Sequence, residues 1–83
     1  MEYRTLGNTD VKVSALCLGS MTFGEQNSQS DAFDQLDFAT SNGINFIDTA
    51  EMYPVPPSVA TQGDTEVILG NWLEKRKKRD DLV

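Results

Sequence analysis

The stretch from Gly43 to Tyr53 constrains the fold more than any other part of the chain. Gly43 is placed to end a helix, the residues from Ile44 to Ile47 predict a short buried strand, and Asp48 stands where that strand should stop. Tyr53 follows five residues later, directly before Pro54. A buried strand that carries an acid to its C-terminal end, with a phenol on the next loop, is a typical active-site arrangement in α/β proteins.

The composition limits the chain to a small domain without covalent or zinc cross-links. Its 83 residues allow one domain at most. Cys17 is the only cysteine and histidine is absent, so an internal disulfide and a Cys/His zinc site are excluded. Between Leu16 and Leu18, we expect Cys17 to be a small buried apolar residue rather than a reactive thiol. Because no apolar segment is long enough for a signal peptide or a membrane span, the sequence predicts a soluble, cytoplasmic protein without a membrane partner.

Charge is distributed unevenly along the chain. The net charge is −6, yet five of the seven basic residues are consecutive, from Lys75 to Arg79. The acidic remainder argues against nucleic acid as a partner, because such binding depends on phosphate neutralisation. A basic run can be a localisation or nucleic-acid patch. We prefer the interpretation that these cations end a helix, where they complement its dipole.

The N-terminal part predicts a hairpin followed by a buried strand. Tyr3–Leu6 and Val11–Val13 flank Gly7–Asp10, whose Gly, Asn and Asp residues supply turn chemistry. Ala15–Leu18 is an unbroken apolar run that ends at Gly19. Such a run is typical of a strand buried on both faces of a parallel sheet.

A first helix is predicted between the two strands. Ser28 and Asp31 match a Ser-x-x-Asp capping pair, with Ser30 as an alternative N-cap. Apolar residues then recur at helical spacing to about Asn42. Gly43 is the expected residue after the helix, because a left-handed backbone costs glycine little.

A second helix is predicted after a proline-rich loop. The three prolines of Pro54–Gly63 exclude regular structure, because proline lacks a backbone donor and has a fixed φ. The helix is expected from Thr65 to about Lys77, capped by Gly63 or Asp64. Gly70 lies inside this helix, and we expect close packing against a strand to explain it.

The order of elements predicts an α/β fold that these residues do not complete. A hairpin is followed by strand, helix, strand and helix, and Leu82–Val83 predicts the start of another strand. This alternation is typical of parallel βα units. Two such units cannot close a barrel, which takes eight units and about 250 residues. We therefore expect residues 1–83 to be a single partial domain, the N-terminal part of a larger protein.

The turn-rich segment Gly19–Ser30 superficially suggests a phosphate-binding P-loop, since two glycines are separated by four residues. A P-loop needs Lys-Ser/Thr directly after the second glycine, whereas Glu25 and Gln26 follow Gly24. The dinucleotide fingerprint Gly-x-Gly-x-x-Gly is also absent. Small residues at this strand end would let a ligand approach the backbone closely. A plain turn is an equally good interpretation.

Asp48 and Tyr53 are the candidate site residues, and each has a simpler interpretation. Asp48 could cap a turn through its own side chain. Tyr53 could be a half-buried aromatic residue with a bonded hydroxyl. Their shared place at the C-terminal rim of a buried strand favours a functional site for the pair.

Three segments together resemble the aldo/keto reductase family. They are Leu16–Gly24, Gly43–Tyr53 and Thr65–Leu73, in the family's order and spacing. They follow a hairpin that would plug the floor of the family's barrel. The sequence Met-Tyr-Pro-Val-Pro-Pro and the longer loop around it look most like the bacterial Tas-like members.

The resemblance implies a (β/α)8 TIM barrel, with residues 1–83 supplying the hairpin and the first two βα units. It also implies the reduction of an aldehyde or ketone, a small-molecule carbonyl substrate, by hydride from NADPH. By this likeness Tyr53 is the general acid, and Asp48 holds a lysine that lowers the tyrosine pKa. Asp48 itself would also lie near the nicotinamide ribose. Gly19, Ser20 and Met21 would line the nicotinamide side of the cofactor.

Part of the family's catalytic set falls outside this sequence. By the resemblance, its lysine would come a few residues after Val83 and its active-site histidine later still. We therefore expect the 83-residue chain to be inactive by itself. Two alternatives stay open: a non-catalytic, cofactor-binding regulatory subunit of the same fold, and a truncated, inactive product.

Overall fold

The computed structural model describes all 83 residues and begins with the expected hairpin. Strand β1 (Tyr3–Thr5) pairs antiparallel with strand β2 (Lys12–Ser14), so that Tyr3 lies opposite Ser14. The intervening turn is closed by the Thr9 hydroxyl, which donates to the carbonyl of Leu6 at 2.5 Å. The prediction of a hairpin with a polar turn is confirmed.

Asn45 joins this hairpin to the rest of the chain. Its side-chain oxygen accepts from the backbone N–H of Ser14 at 2.7 Å, and its amide donates to the carbonyl of Lys12 at 3.0 Å. The Tyr3 hydroxyl adds a bond of 2.6 Å to the carbonyl of Gly43. These bonds fix the hairpin against the segment that leads into the next strand.

The two site strands are parallel and short. Strand β3 (Leu18–Gly19) pairs with strand β4 (Ile47–Asp48) in a register that places Leu18 opposite Ile47 and Gly19 opposite Asp48. The parallel pairing follows from the helix that connects them, since parallel strands need a long crossover.

Both strands are shorter than the apolar runs that predicted them. Only Leu18 of the run at 15–18 belongs to β3, because the Ser14 hydroxyl donates to the carbonyl of Leu16 at 2.6 Å and closes a bend before the strand. The segment at 44–46 is not part of the strand, which begins at Ile47. The prediction that Cys17 is buried is wrong, because Cys17 is exposed while Leu18 packs against the core. Successive side chains of a strand point to opposite faces, and only one face is covered by helices.

Helix α1 (Gln29–Ser41) has the predicted cap. The Ser28 hydroxyl accepts from the backbone N–H of Asp31, and the Asp31 carboxylate accepts from the N–H of Ser28. After the C-cap Asn42, Gly43 has the predicted left-handed backbone, with φ of +90°. A Cβ atom there would lie 2.9 Å from the Tyr3 hydroxyl and 3.0 Å from Cβ of Met1.

Helix α2 (Asp64–Arg76) follows the irregular proline-rich loop, with Gly63 at its N-cap and Lys77 at its C-cap. The expectation for Gly70 is wrong, because it is exposed and nothing lies within 4 Å of where a Cβ would be. Gly70 instead lines a cavity that is also lined by Ile47 of β4, so no strand is in direct contact with it.

The two helices share one apolar core. Seven buried residues form it: Phe23, Ala32, Leu36, Ile68, Leu69, Trp72 and Leu82. Trp72 is 2% exposed, and its indole N–H donates to the Asp37 carboxylate of α1 at 2.8 Å. Leu18 and Ile47 pack against this cluster, so the core supports the site strands from one side.

The basic run ends α2, as predicted. Arg76 makes two bonds to the Asp81 carboxylate, at 2.8 and 2.7 Å, and its guanidinium lies 5.3 Å from the Trp72 ring centroid. The turn that follows brings Val83 beside β4. Its N–H donates to the carbonyl of Asn45 at 2.7 Å, and its carbonyl accepts from Ile47 at 3.0 Å. These are strand-like bonds, although Val83 is not assigned to a strand.

The observed architecture is therefore a small α/β unit of two strand pairs and two helices, without a closed barrel. Neither helix has the length and apolar content that crossing a bilayer requires.

We predict that Gly70→Ala stabilises the chain by about 1 kcal/mol, because alanine is the better helix former and has free space here. Urea unfolding of the purified chain measures the change. Gly43→Ala is the matched control and should destabilise, since its φ is +90°. Destabilisation by Gly70→Ala would contradict the open surroundings of this residue.

Acid should weaken the end of α2 through Asp81. The Arg76 guanidinium lowers the pKa of Asp81 from 3.8 to about 2. A lowered pKa contributes stability above pH 3.8 that is lost as pH falls through about 2. The effect should stay below about 1 kcal/mol, because the Asp81 side chain is 38% exposed. The free energy of unfolding in urea should fall less between pH 5 and pH 2 for Asp81→Asn than for Asp80→Asn. Equal falls would contradict the prediction.

Candidate functional site

The candidate site lies where β3 and β4 end side by side. The register places Gly19 opposite Asp48, so the loops that leave the two strands start at the same edge. A Cβ atom on Gly19 would meet nothing within 4 Å, so its backbone is open to close approach. Ligands of α/β proteins bind at this edge of the sheet, beyond the carboxyl ends of the strands.

Ser20 and Met21 begin the first loop and face different surroundings. Ser20 is 0% exposed, and its hydroxyl donates to the backbone carbonyl of Asp48 at 2.6 Å. The Met21 side chain is 51% exposed, while its carbonyl accepts from the N–H of Val55 at 2.8 Å. The two loops of the site are therefore joined directly by hydrogen bonds.

Asp48 presents an exposed carboxylate at the end of β4. Within the chain this carboxylate makes no hydrogen bond and no salt bridge, whereas its backbone carbonyl is held by Ser20. The interpretation of Asp48 as the cap of its own turn is therefore wrong, since such a cap requires a bond from the side chain to nearby backbone. The carboxylate is available for a group outside these residues.

Cys17 lies near Asp48 on the exposed side of β3. Partial burial, and then the negative charge of Asp48, raise the pKa of the Cys17 thiol. A thiol with a raised pKa is a poor nucleophile at neutral pH, because the thiolate is the reactive form. The expectation that Cys17 is not a reactive thiol is consistent with this shift.

Tyr53 is half-buried, and its backbone is held on both sides. Its N–H donates to the carbonyl of Ala50 at 3.0 Å, and its carbonyl accepts from the N–H of Gly63 at 2.9 Å. The phenol hydroxyl has no hydrogen-bond partner among the 83 residues, so the simpler interpretation of a structurally bonded tyrosine is not borne out. An anchored backbone with a free hydroxyl suits a group that donates a proton to a ligand.

Thr65 is a structural residue of the site that the sequence alone did not single out. It is 0% exposed at the start of α2, and its hydroxyl donates to the carbonyl of Phe23 at 2.6 Å. This bond fixes the first loop to α2, directly after the proline-rich loop that follows Tyr53. The sequence does show a threonine in the first turn of the helix. It does not show the partner of that threonine, which lies 42 residues away.

No cation of the chain pairs with the site. Arg76 and Lys78 lie beside Asp81, and the Lys75 ammonium lies 5.5 Å from the Phe33 ring centroid. Asp48 and Tyr53 thus supply a carboxylate and a phenol, and no basic side chain of the chain is paired with either.

The largest cavity lies beside the site rather than in it. It has a volume of about 290 Å³ and lies between β4, α2 and the last residues of the chain, with Ile47, Leu69, Leu73 and Val83 among its lining residues. Neither Asp48 nor Tyr53 lines it.

The chain is similar to known proteins along its whole length. The sequence model of the aldo/keto reductase family matches residues 15–83, which include both site strands, both loops and α2. The whole chain is 55% identical over 83 residues to "Protein tas" of Escherichia coli strain K12, and covers 24% of that protein. It is 42% identical over 83 residues to "Uncharacterized oxidoreductase YrpG" of Bacillus subtilis, again covering 24%.

A fungal relative has a named activity. The chain is 41% identical over 91 residues to "Norsolorinic acid reductase B" of Dothistroma septosporum, and its full length covers 21% of that protein. The chain thus spans about a quarter of the length of the curated relatives it matches. From the match over residues 15–83 and the identity along its whole length, we conclude that the chain belongs to the aldo/keto reductase family of oxidoreductases.

Proposed function

We propose that this chain is part of an NADPH-dependent reductase of aldehydes or ketones and supplies its general acid. The observation that carries the proposal is the pairing of Gly19 with Asp48, which places a free carboxylate beside an open backbone, with the unbonded Tyr53 phenol on the next loop. In the complete protein this unit would be part of a (β/α)8 barrel, the fold that the family implies.

The residues present fit a nicotinamide cofactor. The open backbone at Gly19 allows a flat ring to approach, and Met21 offers a half-exposed apolar side chain at the same edge. The unpaired Asp48 carboxylate is an acceptor suited to the hydroxyls of a ribose. When bound, NADPH would supply the hydride that reduces the carbonyl carbon.

Tyr53 would supply the proton. As negative charge develops on the carbonyl oxygen, the phenol donates its proton to that oxygen, and an alcohol results. A free tyrosine has a pKa of about 10 and is a weak acid at neutral pH. A cation held by Asp48 would lower this pKa, because positive charge favours the phenolate. The cation would come from outside these 83 residues, since no basic side chain of the chain pairs with Asp48.

A chimera tests this proposal, with this chain replacing the matching segment of the Escherichia coli relative, which aligns over 83 residues. We expect the chimera to bind NADPH and to reduce members of a panel of aldehydes and ketones. Tyr53→Phe should lower kcat by about 100-fold or more, the range for loss of a general acid, while NADPH affinity stays within about two-fold. Tyr3→Phe, the same change in the hairpin, is the control: it removes a hydrogen bond to the Gly43 carbonyl but no group of the site, and should leave kcat unchanged.

Other outcomes would count against the proposal. If the Tyr53→Phe substitution left the kcat of an active chimera unchanged, the role of the phenol would be contradicted. NADPH binding without turnover of any carbonyl compound would favour a non-catalytic, cofactor-binding subunit. The 83-residue chain by itself should show no turnover, because the cation that Asp48 requires is absent from it.

A further inference from the structure

The hydroxyl of Ser20 is hydrogen-bonded to the backbone of Asp48. Ser20 is 0% exposed, and its Oγ lies 2.6 Å from the Asp48 carbonyl oxygen. This hydroxyl therefore does not face the open edge of the sheet, where a ligand would lie. Its partner is the last residue of β4, whose exposed carboxylate makes no hydrogen bond within the chain.

This bond lies at the last step of the strand pairing. Leu18 donates its N–H to the carbonyl of Phe46 at 2.9 Å, and Gly19 is paired with Asp48. Beyond Asp48 the chain is irregular. The side-chain hydroxyl thus helps to fix the peptide that follows Asp48, the residue that carries the carboxylate.

The donor is itself held in place. The carbonyl of Ser20 accepts from the N–H of Phe23 at 3.0 Å, and Phe23 is 0% exposed. The carbonyl of Phe23 accepts the buried Thr65 hydroxyl at 2.6 Å, and the carbonyl of Met21 accepts from Val55. The hydroxyl therefore comes from a loop that is held at several points.

We propose that Ser20 is a positioning residue, whose buried hydroxyl aims the Asp48 carboxylate at the site rather than contacting a ligand itself. The inference rests on the proposed function, because it assumes that Asp48 works in carbonyl reduction. It differs from the cofactor contact that the family resemblance implied for Ser20. The two roles make different predictions when Asp48 is changed.

A double-mutant cycle in the chimera separates them. Ser20→Ala should lower kcat by about 10-fold or more when Asp48 is present, since small misplacements of working groups cost up to about 100-fold. In the Asp48→Asn background the same change should alter kcat and NADPH affinity by less than about two-fold, because the carboxylate to be aimed is gone. Ser20→Cys nearly keeps the side-chain volume with a weaker donor, and should show the same dependence if Ser20→Ala folds poorly.

Ser14 provides a matched control. It is 2% exposed, and its hydroxyl donates to the carbonyl of Leu16 at 2.6 Å and accepts from the N–H of Asn45 at 3.2 Å, so Ser14→Ala loses at least as much buried hydrogen bonding as Ser20→Ala. Thermal unfolding should show that Ser14→Ala and Ser20→Ala both destabilise. Only Ser20→Ala should lower kcat, and only its effect should depend on Asp48.

Three results would overturn the inference. Equal losses of kcat from Ser20→Ala in both backgrounds would mean that Ser20 does not act through Asp48. Weaker NADPH binding by Ser20→Ala in the Asp48→Asn background would indicate direct cofactor contact. A folded chimera that reduces no carbonyl compound before any substitution would overturn the proposed function, and this inference with it.

Discussion

The parallel pairing of β3 with β4 is the constraint on which the rest of the structure depends. Its register brings Gly19 beside Asp48, although the two residues are far apart in sequence. The pair is only two residues long on each strand, so backbone bonds alone give it little stability. Its support comes from Leu18 and Ile47, which pack on the core between the two helices.

Hydrogen bonds between loops extend this short pairing into a defined site. Ser20 holds the carbonyl of Asp48, Met21 holds Val55, and Thr65 holds Phe23. Polar groups of the buried backbone are thereby satisfied, as a folded interior requires. The carboxylate of Asp48 and the hydroxyl of Tyr53 are left without partners in the chain. A frame that satisfies its own backbone and leaves two reactive groups free is what a site for an external ligand needs.

The features that were predicted best from the sequence are those that depend on residues close together along the chain. The Ser28–Asp31 capping pair and the left-handed Gly43 are local, and the structure has both. Strand length, the exposure of Cys17 and the open surroundings of Gly70 depend on what packs against each element, and there the predictions were wrong. The sequence also placed Asp48 and Tyr53 on one rim through strand order. It could not show that Ser20 is bonded to Asp48, because that bond depends on the register of two distant segments.

The most direct test is isotope transfer in the chimera with the Escherichia coli relative. NADPH that carries deuterium at the transferred position of nicotinamide C4 would be incubated with the chimera and with a carbonyl compound of the panel that the chimera reduces. Carbonyl reduction at this rim predicts that the alcohol carries the deuterium on the former carbonyl carbon, and that Tyr53→Phe abolishes nearly all of this labelled product. Oxidation of NADPH without labelled alcohol, or unchanged labelling by Tyr53→Phe, would contradict the assignment of Asp48 and Tyr53 to a reductase site.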